Sequence, residues 1–182
     1  VEARRSGSGQ EYVERLELLM NQAGVDVNYS PARSAALLKE ETTGRPAGAM
    51  VLPDGSVVTG KTSDLLGAAS SLLMNALKGV AGVDDAVDVI SNEVIEPICE
   101  LKTSTLNSRN PRLHSDETLL ALSVTSATDP LAKQLIDHAG DLKGCDAFFS
   151  VIISSTDEKL YRTLGINVCC EPKYEQRRYY HR

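Results

Sequence analysis

Apolar residues recur with helical spacing in several separate stretches of the chain. Between residues 12 and 23 they lie at i, i+1, i+4, i+7, i+8 and i+11, which predicts an amphipathic helix with Gly24 as its C-terminal cap. The same period predicts helices over residues 34–41, 63–78 and 130–139. The helix over 63–78 begins with small residues, so its first half is expected to pack closely against a sheet or to leave room for a ligand.

Three further stretches predict helices of a different character. Residues 93–101 and 157–164 form short helices, and Pro97 is expected in a first turn or at a break because its ring cannot continue a regular helix. Residues 117–128 are apolar on nearly every side, which predicts a central buried helix.

Short apolar runs between these helices predict strands. Residues 147–154 are almost continuously apolar, which is typical of a strand covered on both faces. Residues 86–90 and 166–170 predict two more strands, and a short extended connection is expected over residues 25–30. Strands that alternate with helices predict the α/β class, as a layered domain of mixed α/β structure.

Residues 55–62 match the phosphate-loop pattern G-x-x-x-x-G-K-[ST] letter for letter. A working loop must curl so that successive N–H groups point at one phosphate. Residues 56–59 are rich in β-branched side chains that prefer an extended backbone, and the turn signal before them places Gly55 at the bend of a hairpin over residues 47–60. We favour the hairpin, and a nucleotide hydrolase that uses the motif is the alternative. Lys61 and Thr62, at the end of the hairpin, remain candidate contacts for an anion.

A second concentration of polar side chains lies at residues 107–117. Ser115 is the predicted N-cap of the following helix, with Asp116 and Glu117 in its first turn. These two carboxylates can neutralise nearby arginines, or the loop can hold a phosphate or carboxylate at the helix start. The candidate ligand contacts of this loop are Arg109, Asn110, Arg112 and His114. A hydrolase triad of His114, Ser115 and Asp116 is discounted, because sequence neighbours rarely converge and no G-x-S-x-G motif occurs.

Composition narrows the classes of function. The chain has 182 residues, 42% of them apolar, and a formal charge of −6, which argues against general nucleic-acid binding. No apolar run approaches a membrane span and no secretory leader is seen, while four cysteines without paired spacing favour a reducing cytoplasm. The basic, aromatic tail over residues 174–182 is interpreted as a solvated or partner-docked end. The first residue is Val1 and not Met, so we expect a part of a longer protein.

The predicted order hairpin, helix, strand, helix over residues 47–101 is also that of the zinc-dependent nucleoside deaminases. Those enzymes place H-x-E at the start of the first helix and P-C-x-x-C at the start of the next. Here residues 67–71 offer no ligand or carboxylate, and the second helix offers only Cys99. We therefore predict a cytidine-deaminase-like architecture without its zinc site, with no metal, no cofactor and Cys99 as a buried thiol.

Several long motifs resemble a known family. The chain is similar, from about Ser34 to its end, to the C-terminal part of the bacterial domain-of-unknown-function family 1846, through A-L-L-K-E-E-T-T-G-R-P-A-G-A, L-P-D-G-S-V-V-T-G-K-T-S-D-L-L-G-A, N-P-R-L-H-S-D-E, L-G-I-N-V and C-E-P-K-Y. The resemblance implies a deaminase-like three-layer α/β/α sandwich with a mixed sheet, within a longer, uncharacterised protein. Some members of the family carry an ATP-dependent peptidase label. No H-E-x-x-H motif is present to support that label.

The sequence thus predicts a flexible leader and amphipathic helix over residues 1–33 and an α/β domain over residues 34–182. We expect a cytoplasmic domain that binds a small anionic ligand or completes a site with an absent N-terminal region. It is not expected to bind nucleic acid or a membrane. A structural, oligomerising domain that uses the helix over 12–23 is a further alternative, and we expect either a homo-oligomer or packing against the absent region. The sequence identifies no catalytic residue.

Overall fold

A computed structural model describes residues 7–175. Its centre is a four-stranded mixed sheet in the order β2-β1-β3-β4. β1 is antiparallel to β2 and to β3, and β3 is parallel to β4. The strands are β1 (Ala47–Val51), β2 (Val57–Lys61), β3 (Asp146–Phe149) and β4 (Asn167–Cys170). The predicted α/β class is confirmed.

Helices occupy most of the chain between the strands. In chain order they are α1 (Gln10–Ala23), α2 (Pro31–Thr43), α3 (Ala68–Ala81), α4 (Asn92–Glu100), α5 (Ser115–Thr125), α6 (Pro130–Asp137) and α7 (Ser155–Thr163). Short 3₁₀ turns cover Val27–Tyr29 and Ala139–Leu142, and a π-helical turn at Leu101–Thr105 continues α4.

Helices pack on both faces of the sheet. On one face, alanines of α2 pack on Ala49 of β1 and on Phe148 of β3. On the other face lies the main core, where Phe149 meets the ring of Tyr161 edge-on at a centroid distance of 5.4 Å. This second core also holds Leu72 of α3, which is fully buried. Successive side chains of each strand point to opposite faces of the sheet, so each strand contributes side chains to both apolar layers.

The two glycines of the phosphate-loop pattern have structural reasons of their own. Gly55 has φ +84° in the turn between β1 and β2, a conformation that side chains other than glycine disfavour. A Cβ at Gly60 would lie 2.5 Å from Leu72 Cα and 2.7 Å from the Ser71 carbonyl carbon, because α3 crosses β2 there at very close range. The predicted hairpin and the close packing of the thin half of α3 are confirmed.

Several predicted elements differ from the structure. Residues 86–90 are not a strand. They begin in a turn, where the Asp84 carboxylate accepts a hydrogen bond from Ala86 N, and Val89 and Ile90 are buried side chains of the loop that follows. β3 ends at Phe149, so residues 150–154 lead into α7 and are not part of the strand. Residues 63–67 form a turn before α3, because Ser63 Oγ accepts from the amide of Leu66.

Local packing explains three other differences. The connection over residues 25–30 contains a 3₁₀ turn because the Asp26 carboxylate accepts from Asn28 N. α5 is not buried on all sides, since Leu120 and Val124 are 67% and 71% exposed. Pro97 lies inside α4, beyond its first turn, and the π-helical turn follows four residues later. The structure does not describe residues 1–6, which belong to the predicted flexible leader, or residues 176–182, which belong to the predicted basic tail.

Candidate functional site

Three helices begin around one small cleft. It lies where the first residues of α3, α5 and α7 approach each other, and its volume is about 70 Å³. We call it the His114 cleft; its polar lining includes Thr62, Asn110, Arg112, His114, Ser154, Asp157 and Glu175. A space of this size admits a carboxylate or phosphoryl group and is far smaller than the pockets that enclose whole nucleotides.

Hydrogen bonds connect the loop before α5 to the segment before α3 and to its first turn. Leu113 N donates to Leu65 O at 2.9 Å, and Gly67 N donates to Leu113 O at 3.3 Å. The buried hydroxyl of Ser70 donates to the same Leu113 carbonyl at 2.7 Å. These bonds bring Arg112 and His114 to the first turn of α3.

The carboxylate of Asp157 accepts hydrogen bonds from residues at the starts of both α5 and α7. Its Oδ1 accepts from the amide and the hydroxyl of Ser115 at 2.8 and 2.7 Å, and its Oδ2 accepts from Ser154 Oγ at 2.6 Å. Ser154 is the N-cap of α7, and its Oγ accepts from Asp157 N at 3.1 Å. The N-cap of α5 is therefore His114 and not the predicted Ser115, which is buried as the first helical residue.

The start of α3 is different, because no side chain of residues 7–175 caps it. Its N-cap is Gly67, which has no side-chain acceptor, and Ala68 and Ala69 line the cleft. The first amides of any helix lack partners within the helix and carry the positive end of its dipole. The cleft therefore opens onto backbone donors that are suited to an anion.

Arg112 supplies a cation to the same cleft. Its side chain is 11% exposed, and its Nε donates to Ser63 O at 2.7 Å. Nη1 lies 4.0 Å from Oε1 of Glu175, whose side chain is 15% exposed. A carboxylate of the chain itself thus lies in the cleft beside the guanidinium.

The ionisation of Asp157 and His114 follows from these contacts. Burial opposes ionisation of Asp157, but hydrogen bonds from His114, Ser154 and Ser115 outweigh it and lower the pKa of the carboxyl below its usual value. His114 Nδ1 lies 3.1 Å from Asp157 Oδ2. This hydrogen bond raises the pKa of His114 above its usual 6.5, although burial of the ring opposes the rise. The cleft therefore contains an ionised carboxylate and a readily protonated imidazole.

The structure brings together four of the six predicted contacts. Thr62, Asn110, Arg112 and His114 line the His114 cleft. Asn110 lines it with its Oδ1 engaged, because that oxygen accepts from Arg112 N at 3.1 Å. Arg109 is exposed and does not line the cleft.

Lys61 lies in another depression, of about 430 Å³, beside Lys78. Lys78 donates to the carbonyl of Asp85 at 2.8 Å, so its charge is already engaged there. A phosphate loop over residues 55–62 is excluded, because Val57–Lys61 pairs with β1 as a strand.

Sequence reasoning missed Asp157, Ser154 and Glu175 as parts of the site. Ser154 and Asp157 have the S-x-x-D spacing of a helix start, and this signal locates the beginning of α7. It does not show that the carboxylate faces a histidine 43 residues earlier in the chain. Glu175 carries no local signal.

All four cysteines are free thiols, and their exposure differs. The four thiols form no disulfide with one another. Cys99 is half-buried and not fully buried as predicted; it packs against the edge of the main core, and burial raises its pKa. Cys169 is exposed and Cys170 half-buried, in line with alternation along β4.

Within residues 7–175, no group of three or more His, Cys, Asp or Glu side chains is arranged to hold a metal ion.

Sequence comparison identifies the family. The profile described as "Domain of unknown function DUF1846, C-terminal" matches residues 28–180. The chain belongs to the DUF1846 family. It is 45% identical over 180 residues to a UPF0371 protein of Corynebacterium efficiens, an alignment that covers 99% of this chain and 36% of that relative. A UPF0371 protein of Streptococcus pneumoniae serotype 19F is 42% identical over 172 residues, which is 94% of this chain and 35% of that relative.

The DUF1846 match confirms the resemblance seen in the sequence motifs. The chain spans only about a third of the length of these relatives. Helix α1 lies outside the part that the C-terminal domain profile matches, yet the alignment with the Corynebacterium efficiens relative covers almost the whole chain. In the described part of the chain, no helix is both long and apolar enough to cross a membrane.

Proposed function

We propose that this DUF1846 domain binds a small anionic group, a phosphoryl or a carboxylate, in the His114 cleft. The observation that carries the proposal is the largely buried guanidinium of Arg112 beside the uncapped start of α3. A guanidinium and free helix amides are complementary to the same planar or tetrahedral oxyanions. The cleft volume of about 70 Å³ limits the bound part to one such group.

The position of Glu175 supports this proposal. Its carboxylate lies in the cleft, 4.0 Å from Arg112 Nη1, so the cleft already accommodates an anionic group. A ligand anion would occupy the same region and would compete with this carboxylate. Removing the charge of Glu175 should therefore strengthen ligand binding.

We further propose that the fold is related to that of the nucleoside deaminases. The order predicted over residues 47–101 is wrong in its strand, because residues 86–90 form a loop. A hairpin, helix, strand, helix order remains if α4, α5 and α6 are taken as an insertion before β3: the hairpin of β1 and β2 is followed by α3, and β3 is followed by α7. Deaminases bind zinc at the starts of these two helices. Here α3 begins with alanines and α7 carries Asp157, whose oxygens already accept hydrogen bonds from Ser115, Ser154 and His114. These residues do not fit that zinc.

The rest of the longer protein would complete the ligand site. A cleft for one anionic group leaves the remainder of a ligand outside it, and relatives have about two thirds of their length beyond the part aligned here. We propose that the remaining portion contacts the rest of the ligand. A cytoplasmic location and the lack of a nucleic-acid partner stay predictions from composition, and the peptidase label stays an implication of the resemblance.

The test is binding of inorganic phosphate to the chain and to matched arginine variants. Arg112→Gln should weaken phosphate binding about tenfold or more, because it removes a partly desolvated charge-assisted contact. Arg109→Gln is the control: it removes the same charge three residues away, at an exposed position outside the cleft. Equal losses in both variants would show that only net charge matters and would refute the proposal. Glu175→Gln should bind phosphate more tightly than the wild type.

A second role is favoured by α1. This helix has no buried residues, and Tyr12, Leu16, Leu18 and Leu19 are each more than half exposed. Apolar faces of this kind mark interaction sites. Since α1 lies outside the domain profile and the relatives are longer, we propose that α1 packs against the remaining part of the longer protein.

Sedimentation velocity tests this role. The 182-residue chain should sediment as a monomer, because the surface that covers α1 is missing from it. A dimer that dissociates in the Leu16→Gln/Leu19→Gln variant would show that a second copy covers α1, and would refute packing against the remaining part.

A further inference from the structure

The carboxylate of Asp157 is fully engaged as a hydrogen-bond acceptor. It accepts from the amide and hydroxyl of Ser115, from the hydroxyl of Ser154 and from the ring of His114, and it is 7% exposed. An ionised carboxylate can only accept, so the ring nitrogen that faces it carries a hydrogen. The geometry thus fixes the proton of His114 on Nδ1.

The second ring nitrogen of His114, Nε2, is not held by Asp157. Within residues 7–175 it makes no hydrogen bond, although His114 lines the cleft and is 31% exposed. In the neutral ring Nε2 accepts a hydrogen bond, and in the imidazolium it donates one. A histidine held in this way by a carboxylate is arranged like the acid–base histidines of hydrolases.

Charged groups from several elements surround the ring. Asp157 of α7 and Glu117 of α5 favour the protonated form, whereas Lys102 of the π-helical turn opposes it. Arg112 from the preceding loop and Glu175 from the C-terminal segment line the same cleft with opposite charges. The hydrogen bond to Asp157 is the largest influence and raises the pKa of His114.

We propose that the Asp157–His114 pair makes the His114 cleft a proton-transfer site, in which Asp157 positions the ring and His114 Nε2 shares a proton with the bound anionic group. This inference rests on the proposed anion binding. When the anion binds, Nε2–H donates to one of its oxygens. When the ring is neutral, Nε2 can accept a proton from a hydroxyl of the ligand. The ligand class is therefore an oxyanion: any of its oxygens can accept from Nε2–H of the imidazolium, and a hydroxyl, where the anion has one, can donate to Nε2 of the neutral ring.

Sulfate is the probe, because it stays a dianion across the pH range in which histidine titrates. Any pH dependence of its binding then belongs to the protein. The three histidines of the chain, His114, His138 and His181, are followed together by nitrogen-detected NMR of their rings. His138 is the internal control: its Nδ1 also faces a carboxylate, that of Asp141 at 2.7 Å, but it lies at the surface and outside the cleft.

Saturating sulfate should raise the pKa of His114 by about one unit and leave the ring nitrogen signals of His138 in place, and sulfate affinity should fall about tenfold as pH rises through the pKa of His114. In His114→Gln, sulfate affinity should no longer depend on pH. In Asp157→Asn, loss of the carboxylate lowers the pKa of His114, so affinity should fall at a lower pH than in the wild type. In this variant a fraction of the neutral rings should also carry the proton on Nε2 and not on Nδ1.

The outcomes separate the two proposals. Sulfate binding with an unchanged pKa of His114, or a pH dependence that persists in His114→Gln, would overturn the proton-transfer inference and leave anion binding standing. Failure of the wild-type chain to bind sulfate at any pH between 5 and 9 would overturn both. The wild-type titration decides the question even if a variant fails to fold.

Discussion

Replacing Gly60 by alanine probes the contact between the hairpin and α3. The added Cβ would lie 2.5 Å from Leu72 Cα and 2.7 Å from the Ser71 carbonyl carbon, and closer still to Leu72 N. These are backbone atoms of α3, so no side chain can rotate away. Carbon atoms prefer separations of about 3.5–4.0 Å, and relief therefore requires α3 to move by about 1 Å.

The cost of this movement follows from what α3 packs against. Its buried side chains, including Leu72, Leu73 and Leu77, form much of the main core. Overpacking of a well-packed core costs about 1–3 kcal/mol, and occasionally more. Because a whole helix must shift, we expect Gly60→Ala to lower the free energy of unfolding by about 3 kcal/mol.

Two other glycines serve as controls in the same urea-unfolding assay. Gly55→Ala meets no atom within 4 Å but keeps φ +84°, so it should cost about 1–2 kcal/mol. Gly140→Ala has open space and no positive φ, and should stay within about 0.5 kcal/mol of the wild type. A Gly60→Ala protein as stable as the Gly140→Ala protein would refute the close crossing of β2 and α3.

Three further predictions concern buried polar contacts. Tyr161→Phe removes the hydrogen bond from the fully buried hydroxyl to Ala69 O and should cost about 1–2 kcal/mol in urea unfolding. Lys102→Met removes the ion pair with Glu117 and the donor to the Arg112 carbonyl, and should cost about 2 kcal/mol, because Glu117 is partly exposed and keeps the amide of His114 as a donor. His114 has its pKa raised in the folded state, so its contribution to stability is complete below pH 6.5 and is lost as pH rises through the folded pKa. The stability difference between wild type and His114→Gln, measured from pH 5.5 to 9, should therefore decrease with pH; an increase would contradict the pairing with Asp157.

The fold could be predicted where local signals and tertiary packing agree. The turn residues before Gly55 and the β-branched run after it specify the hairpin, and helical spacing specifies α1 and α3. The failures are local patterns that packing overrides. Residues 86–90 look like a strand yet bury two side chains from a loop, and α5 is apolar on sides that face outward at Leu120 and Val124.

The candidate site could be predicted only in part. Arg112 and His114 stood out because helix capping does not explain them, and the structure places both in the cleft. Asp157 and Glu175 could not be found this way, since their roles depend on where α7 and the C-terminal segment lie in space. The phosphate-loop motif predicts Lys61 as an anion contact, but Lys61 lies at the end of an edge strand and does not line the cleft.

The most direct test of anion binding is a titration of the isotope-labelled chain with sulfate, followed through its backbone amides. We expect the amides of Ala68 and Ala69 to shift strongly and saturably in the wild type, and these shifts to disappear in Arg112→Gln but persist in Arg109→Gln. Shifts confined to the surroundings of Lys61, or none at the start of α3, would contradict anion binding in the His114 cleft.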